Sequence, residues 1–357
     1  MKILLLMCLL AIAAGCHTPA EKDNTKFVRF FSWGRPVSEE DAAKFAAAGV
    51  TDVLVDSRKQ FDLAVKYGMR PYWKCFTPAG PHRQVMNPDE EKLSNYINGK
   101  DLDRKIPRAE RQKIIHRRRT EKRSQYGGEA VVHPDPLTGL GGISCFISDT
   151  DFSLSRKKLD KILESAPDGT AGVFLDYIGY MNHFGCYCAG CRKKYAEYLK
   201  KQKLADTQEN RNVFFRDQLV GYYNRVIEHI KQRRPDFKVV IHVYPDFEPE
   251  HLYGNRTKAD FCGQTVAWYF QWPADKIRKY TRYVTGHAKD HHPNAEGIPF
   301  LGLSTDPKSS LGHKTPADVE RELRDILSAG GRTLMICCGK TIIEPGYFEV
   351  FRKYCGK

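Results

Sequence analysis

Apolar and polar positions along this chain alternate between two patterns. Short runs rich in β-branched and aromatic residues are followed by longer stretches in which apolar residues recur every three or four positions. These are the periods of a strand and of an amphipathic helix. FVRFFSW (27–33) is closed by Gly34 and Pro36; in SEEDAAKFAAAG, Ser38 is placed to cap a helix and Gly49 to end it. TDVLVDS (51–57) precedes a helix over 58–68, and MRPYWKCF (69–76) is a third strand. A long polar insert at about 77–144 interrupts the rhythm, and a helix near 153–166 restores it. Further strands are predicted at 172–180, 238–247, 265–272, 298–305 and 333–339. Helices are predicted at 189–204, 209–234, 273–289, 315–329 and 346–354. Eight strand–helix units predict an α/β chain folded as a (β/α)8 TIM barrel, one domain over 27–357 with an insert after strand 3. The competing reading, an open doubly wound sheet, lacks a Gly-rich phosphate loop.

The first residues break this pattern. Lys2 precedes an uncharged aliphatic run over 3–14, and Ala13, Ala14 and Gly15 are small. Residues 1–15 therefore read as an export signal, too short to span a bilayer comfortably. The A-A-G-C stretch resembles a bacterial lipobox. The resemblance implies a diacylglycerol on Cys16, a lipidated tether over 16–26, and anchorage to the cell envelope, at the outer membrane in a diderm host. A plainly cleaved signal peptide is the other reading.

Charge narrows the partners. Of a net +14, half falls in residues 100–123, with eleven Lys/Arg against four Asp/Glu. A solvated helical hairpin explains such a run, as does attraction of a uronate-bearing glycan, an anionic lipid or lipopolysaccharide. An exported lipoprotein without a nucleic-acid motif argues against DNA or RNA.

In a (β/α)8 barrel the chemistry sits on loops after the strands. At or just past the predicted strand ends stand Trp33, Asp56, Asp176, His242, Tyr244, Asp246, Gln271, Trp272, Asp306 and Glu344. Aromatic faces stack on pyranoses and paired carboxylates perform acid/base work, so this lining fits a carbohydrate site. Asp176 is the candidate catalytic carboxylate, with Asp246 or Asp306 as its partner. His242 and Tyr244 would orient sugar or nucleophile. Trp33, Trp268 or Trp272 would stack on the sugar, beside Gln271. No organic cofactor is expected. A metal-dependent hydrolase built on His242, Asp246 and His251 is a weaker alternative.

The most specific local motif is GCYCAGCRKKYAEYL (185–199). Cys186, Cys188 and Cys191 open an amphipathic helix, a spacing that suits one tetrahedral zinc. Cys145 or His183 would supply the fourth ligand; one disulfide with a free thiol is the other reading. A strand, then C-x-C-x-x-C, then an aromatic residue and Leu on a helix resembles glycoside hydrolase family 42 β-galactosidases. The likeness is clear over about 140–200 and architectural elsewhere. The whole chain is similar to glycosyl-hydrolase-like barrel proteins that share F-L-D-Y ahead of the cysteines. The resemblance implies a structural zinc held by Cys145, Cys186, Cys188 and Cys191, and a glycoside hydrolase. It does not carry over that clan's glutamates. There, strand 4 ends in Asn-Glu and strand 7 in Glu; here they end in Leu175-Asp176-Tyr177-Ile178 and Ser304-Thr305-Asp306. Either aspartates take over, or the barrel is a non-catalytic glycan-binding surface protein.

Overall fold

The computed structural model describes residues 25–78, 80, 82, 84, 85, 92, 95, 96, 99–125, 144–147, 149–178, 185–243, 256–267, 271–291, 295–303, 313–337 and 340–356. Eight parallel strands close into a barrel in sequence order. They are β1 (Arg29–Ser32), β2 (Asp52–Val55), β3 (Arg70–Phe76), β4 (Gly172–Ile178), β5 (Lys238–Val243), β6 (Phe261–Ala267), β7 (Glu296–Gly302) and β8 (Thr333–Cys337). The helices are α1 (Glu39–Ala47), α2 (Arg58–Lys66), α3 (Arg108–Gln125), α4 (Asp149–Glu164), α5 (Ala189–Gln202), α6 (Gln208–Arg233), α7 (Ala274–His291), α8 (Pro316–Ser328) and α9 (Tyr347–Cys355). Among the described residues, no helix is long and apolar enough to cross a membrane.

Local chemistry sets most of these boundaries. Ser38 and Ser57 accept the Asp41 and Gln60 amides and start α1 and α2. Thr315 and Asp318 cap α8 reciprocally, with Pro316 in its first turn. Gly49, at φ +92°, ends the α1 segment where a Cβ would overlap the Cys355 carbonyl. A buried ion pair of Lys314 and Glu322, 2.8 Å apart, also satisfies the Gly302 carbonyl and so fixes the end of β7.

Strand alternation fills the lumen in layers. At the N-terminal end Arg29 grips Asp52 through two hydrogen bonds of 2.9 and 2.7 Å and donates to Tyr72 Oη. Above it Phe31 packs on Tyr72, Phe174 and Phe261. The C-terminal layer is the mouth.

One strand lies earlier than its pattern suggests. The aromatic run TVAWYFQW predicts β6 at 265–272, whereas the strand spans Phe261–Ala267. Gly263, a poor strand former, and the polar Gln264 hide it. Gly263 is needed because a Cβ there would stand 2.7 Å from Met335 Sδ and 3.0 Å from the Ile241 carbonyl. A second irregularity lies in β3. Lys74 takes a left-handed φ of 55°, and the register to β4 shifts between Tyr72 and Cys75. Such a bulge exchanges the faces of the residues beyond it. Cys75 therefore pairs with Phe174 and shares its lumenal side, while Phe76 is buried on the other side.

Candidate active site

Asp176 comes from the end of β4, where the register to β5 shifts beyond Leu175, and its contact with His242 puts its side chain on the lumenal side. Its Oδ1 lies 3.5 Å from Nδ1 of His242 on β5. This is an electrostatic contact, longer than a well-formed hydrogen bond. The Asp176 side chain keeps 20% of its exposure and that of His242 only 5%, so the carboxylate is the member that solvent reaches.

The imidazole is held on three sides. Phe300 of β7 stacks on it at 3.7 Å between centroids, Trp33 meets it edge-on at 5.9 Å, and Nε2 lies 3.4 Å from Thr265 Oγ1 of β6. Trp33 also meets Phe174 edge-on at 5.0 Å, and its indole Nε1 is buried with no hydrogen-bond partner among the described residues. Tyr223 of α6 donates to the Asp176 carbonyl and secures the strand end from outside.

Further groups line this end. Burial drives the Cys75 thiol well above its ordinary range, and the neighbouring Asp176 carboxylate pushes it further; Arg35 and Lys158 oppose the shift. Arg35, two residues beyond Trp33, pairs with Asp56 at 2.7 Å, so a cation and a second carboxylate stand at the ends of β1 and β2. Lys158 of α4 binds the Thr77 carbonyl just beyond β3.

Trp33, Asp176 and His242 are thus brought together. Gln271 and Trp272 lie beyond the end of β6. Gln271 is exposed, and Trp272 is buried against Tyr280 and Lys276 of α7. The expectation that these two stand at a strand end is corrected by the earlier position of β6. Tyr244, Asp246, His251, Trp268 and Asp306 lie outside the described residues, as do Cys16 and His183. Sequence reasoning missed Cys75, because simple alternation from Tyr72 points Lys74 inward and only the bulge reverses it. It also missed Arg35, Thr265 and Phe300; for Phe300, alternation along β7 was an available clue.

The four cysteines form a separate cluster beside the mouth. The sulfurs of Cys145, Cys186, Cys188 and Cys191 all lie within 4.8 Å of one another, with Cys145 3.3 Å from Cys191 and 3.8 Å from Cys188. These separations match the edge of about 3.8 Å expected for sulfurs at 2.3 Å around a tetrahedral zinc. They are far beyond the roughly 2.05 Å of a disulfide bond. Hydrogen bonds from the Cys145 and Cys191 thiols, helped by backbone amides of Cys188 and Val85, draw the Cys186 thiol down to about 4. The donor set and its spacing fit a thiolate-bound ion. The cluster joins the strand loop carrying Cys186 to two pieces of the insert: Cys145 N–H donates to the His82 carbonyl, and Tyr187 N–H to that of Val85.

No protein-family model matches the sequence, and no curated protein matches it. Solved structures do. A β-galactosidase from the haloarchaeon Halorubrum lacusprofundi superposes with a TM-score of 0.52 at 13% identity, covering 86% of this chain and 52% of its own. The PgaB (BpsB) glycoside hydrolase domain from Bordetella bronchiseptica gives 0.52 at 9% identity, over 91% of this chain and 97% of its own. A β-galactosidase from Bacillus circulans sp. alkalophilus gives 0.50 at 13% identity, over 87% and 50%. The chain spans about half the length of these two β-galactosidases. At such identities the likeness is one of fold: this chain is a (β/α)8 barrel of the kind found in glycoside hydrolases.

Proposed function

We propose that this protein is a glycoside hydrolase acting at the C-terminal mouth of its barrel, with Asp176 as a catalytic carboxylate. The observation that carries the reading is the lumenal Asp176 beside His242, in a mouth walled by Trp33, Phe174 and Phe300. A solvent-reached carboxylate next to a buried, oriented imidazole serves as a nucleophile or base, and the aromatic wall suits the apolar face of a sugar. The structural neighbours named for β-galactosidase and glycoside hydrolase activity support the same chemistry. Asp246 or Asp306 would supply the second carboxyl. The four cysteines would hold a structural zinc with no open position, so the ion would brace the mouth without activating water. A lipid on Cys16 would keep the enzyme at the envelope, facing external glycans.

A screen of oligo- and polysaccharides with wild type and Asp176→Asn tests this. The variant is expected to lose about 10³-fold in kcat on any substrate the wild type hydrolyses. The missing strand-end glutamate, where Asp176-Tyr177 stands, favours one other reading, a glycan-binding barrel without turnover. Equal behaviour of mutant and wild type on every glycan, with binding retained, would establish that alternative.

A further inference from the structure

The basic insert has a place in the fold that bears on the substrate. It leaves the barrel at Phe76, the end of β3, and its return segment hydrogen-bonds to its own first residues through Cys145 and His82. That segment also joins the cysteine cluster next to Cys186, beyond β4. Both ends of the insert are therefore fixed at the mouth. The N-terminal strand enters at the other end of the barrel, where Phe27 N–H bonds the Tyr354 carbonyl.

Among the described residues, many charges of the insert are unspent. Arg118 binds Asp101 through two bonds and covers the Tyr96 ring, and Arg117 lies 3.8 Å from Glu121. Lys100, Arg104, Lys105, Arg108, Arg111 and Lys113 make no ion pair with any described residue, and all except the half-buried Arg111 are exposed. The apolar residues of the segment are turned inward: Leu102 and Ile115 pack around Gly99, where a Cβ would meet each at 2.8 Å. A helix that lies in a membrane interface keeps a broad apolar face for the lipid. The sequence of α3 offers none, with Ile114 and Ile115 its only large aliphatic residues, and the Tyr96 ring is covered by Arg118. What remains is a cationic surface, suited to a flexible, soluble polyanion. Within the mouth, Arg35 and Lys158 extend positive charge to within electrostatic reach of Cys75 and its neighbour Asp176.

Resting on the hydrolase reading above, we propose that the glycan served by this mouth is an anionic polysaccharide, bearing carboxylate or sulfate groups, gathered by the cations of the insert. The insert raises the local concentration of the polymer, and the cations at the mouth, Lys158 and the Asp56-paired Arg35, favour an acidic group near the cleavage point.

The test uses the full chain and a triple variant, Arg104→Gln, Arg108→Gln and Lys113→Gln, whose exposed positions leave the fold intact as checked by thermal melting. Probes are polygalacturonate for carboxylate, dextran sulfate for sulfate, unmodified dextran, and vesicles containing phosphatidylglycerol. Wild type is expected to bind one or both charged polymers at low salt, about tenfold tighter than the triple variant. Most of that difference should vanish at about 0.5 M salt. Preference between the charged polymers identifies the acidic group. Equal affinity for dextran and the charged polymers overturns the proposal. So does a triple variant that loses only vesicle binding, which would assign the surface to lipid. Hydrolysis separates the two ideas. If a neutral glycan is cleaved in an Asp176-dependent way with KM unchanged in the triple variant, the hydrolase reading stands and this inference falls. If charged polymers bind through the insert and none is cleaved, the binding surface stands and the hydrolase reading falls.

Discussion

Asp176 and Asp260 show how two buried-strand aspartates take different roles. Asp260 lies just before β6, where Lys231, Lys238 and the Val239 amide all donate to its carboxylate. Burial pushes this carboxyl up, but those donors outweigh it and hold it below its ordinary range. A carboxylate depressed in the folded state stabilises the fold above its unfolded value, near 3.9, and the benefit is lost as pH falls through the lower folded value. Asp260→Asn is therefore expected to cost about 1.5–3 kcal/mol at pH 7. The gap to wild type in urea unfolding should narrow steadily below about pH 4. Asp176 stands instead at the mouth, 3.5 Å from His242 and with part of its side chain exposed. Asp176→Asn removes the proposed catalytic carboxylate and should lower turnover without a loss of stability of that size. A large drop in melting temperature for Asp176→Asn would instead mark it as a structural residue.

At the scale of elements, two places decide how the mouth is built. The first is β6. Gly263→Ala inserts a methyl against Met335 and the Ile241 carbonyl, and the backbone side of that clash cannot swing away. Overpacking of this kind costs about 1–3 kcal/mol, which a denaturant midpoint would show. The second is the cysteine cluster, which ties 82–85, 144–147 and the loop before α5 together. Protein purified without chelator should carry about one zinc per chain by elemental analysis. Cys188→Ser should lower that content, and a strong chelator should move the first proteolytic cut into the insert. Full thermal stability and an unchanged digest in the metal-free protein would show that the thiols hold together without an ion.

On the scale of the whole molecule, the barrel separates its two ends by chemistry. The N-terminal end is closed by Arg29, Asp52 and Tyr72, with Arg29 lying over Phe261, so it is a plug. The C-terminal end collects Trp33, Cys75, Asp176, His242 and Phe300, together with the insert. A lipid anchor on Cys16 would attach through the plugged end, because the chain enters the barrel there. Labelled fatty acid is accordingly expected to enter the full-length protein in a bacterial host and to be absent from Cys16→Ser. Equal labelling of the two would remove the anchor from the picture.

Much of this was legible along the chain. Seven of the eight strands fall within a few residues of their hydrophobic runs, because a parallel barrel strand is buried on both faces and its composition says so. The position of Asp176 near a strand end was readable from the hydrophobic run and the convergence of Cys186, Cys188 and Cys191 from their spacing, while Cys145 as the fourth member followed from the family resemblance. Other features depend on neighbours remote in sequence. Gly263 looks like a break until Met335 is seen across the lumen, and Lys74 looks lumenal until the bulge turns Cys75 inward. Trp272 reads as a strand-end residue until β6 is seen to end at Ala267 and the indole to pack on Tyr280 of α7. The pairing of Asp176 with His242 under Phe300 joins three strands. Periodicity reports which face of an element is buried; which side chains meet there is settled by barrel closure and register, which bring distant strands into one layer.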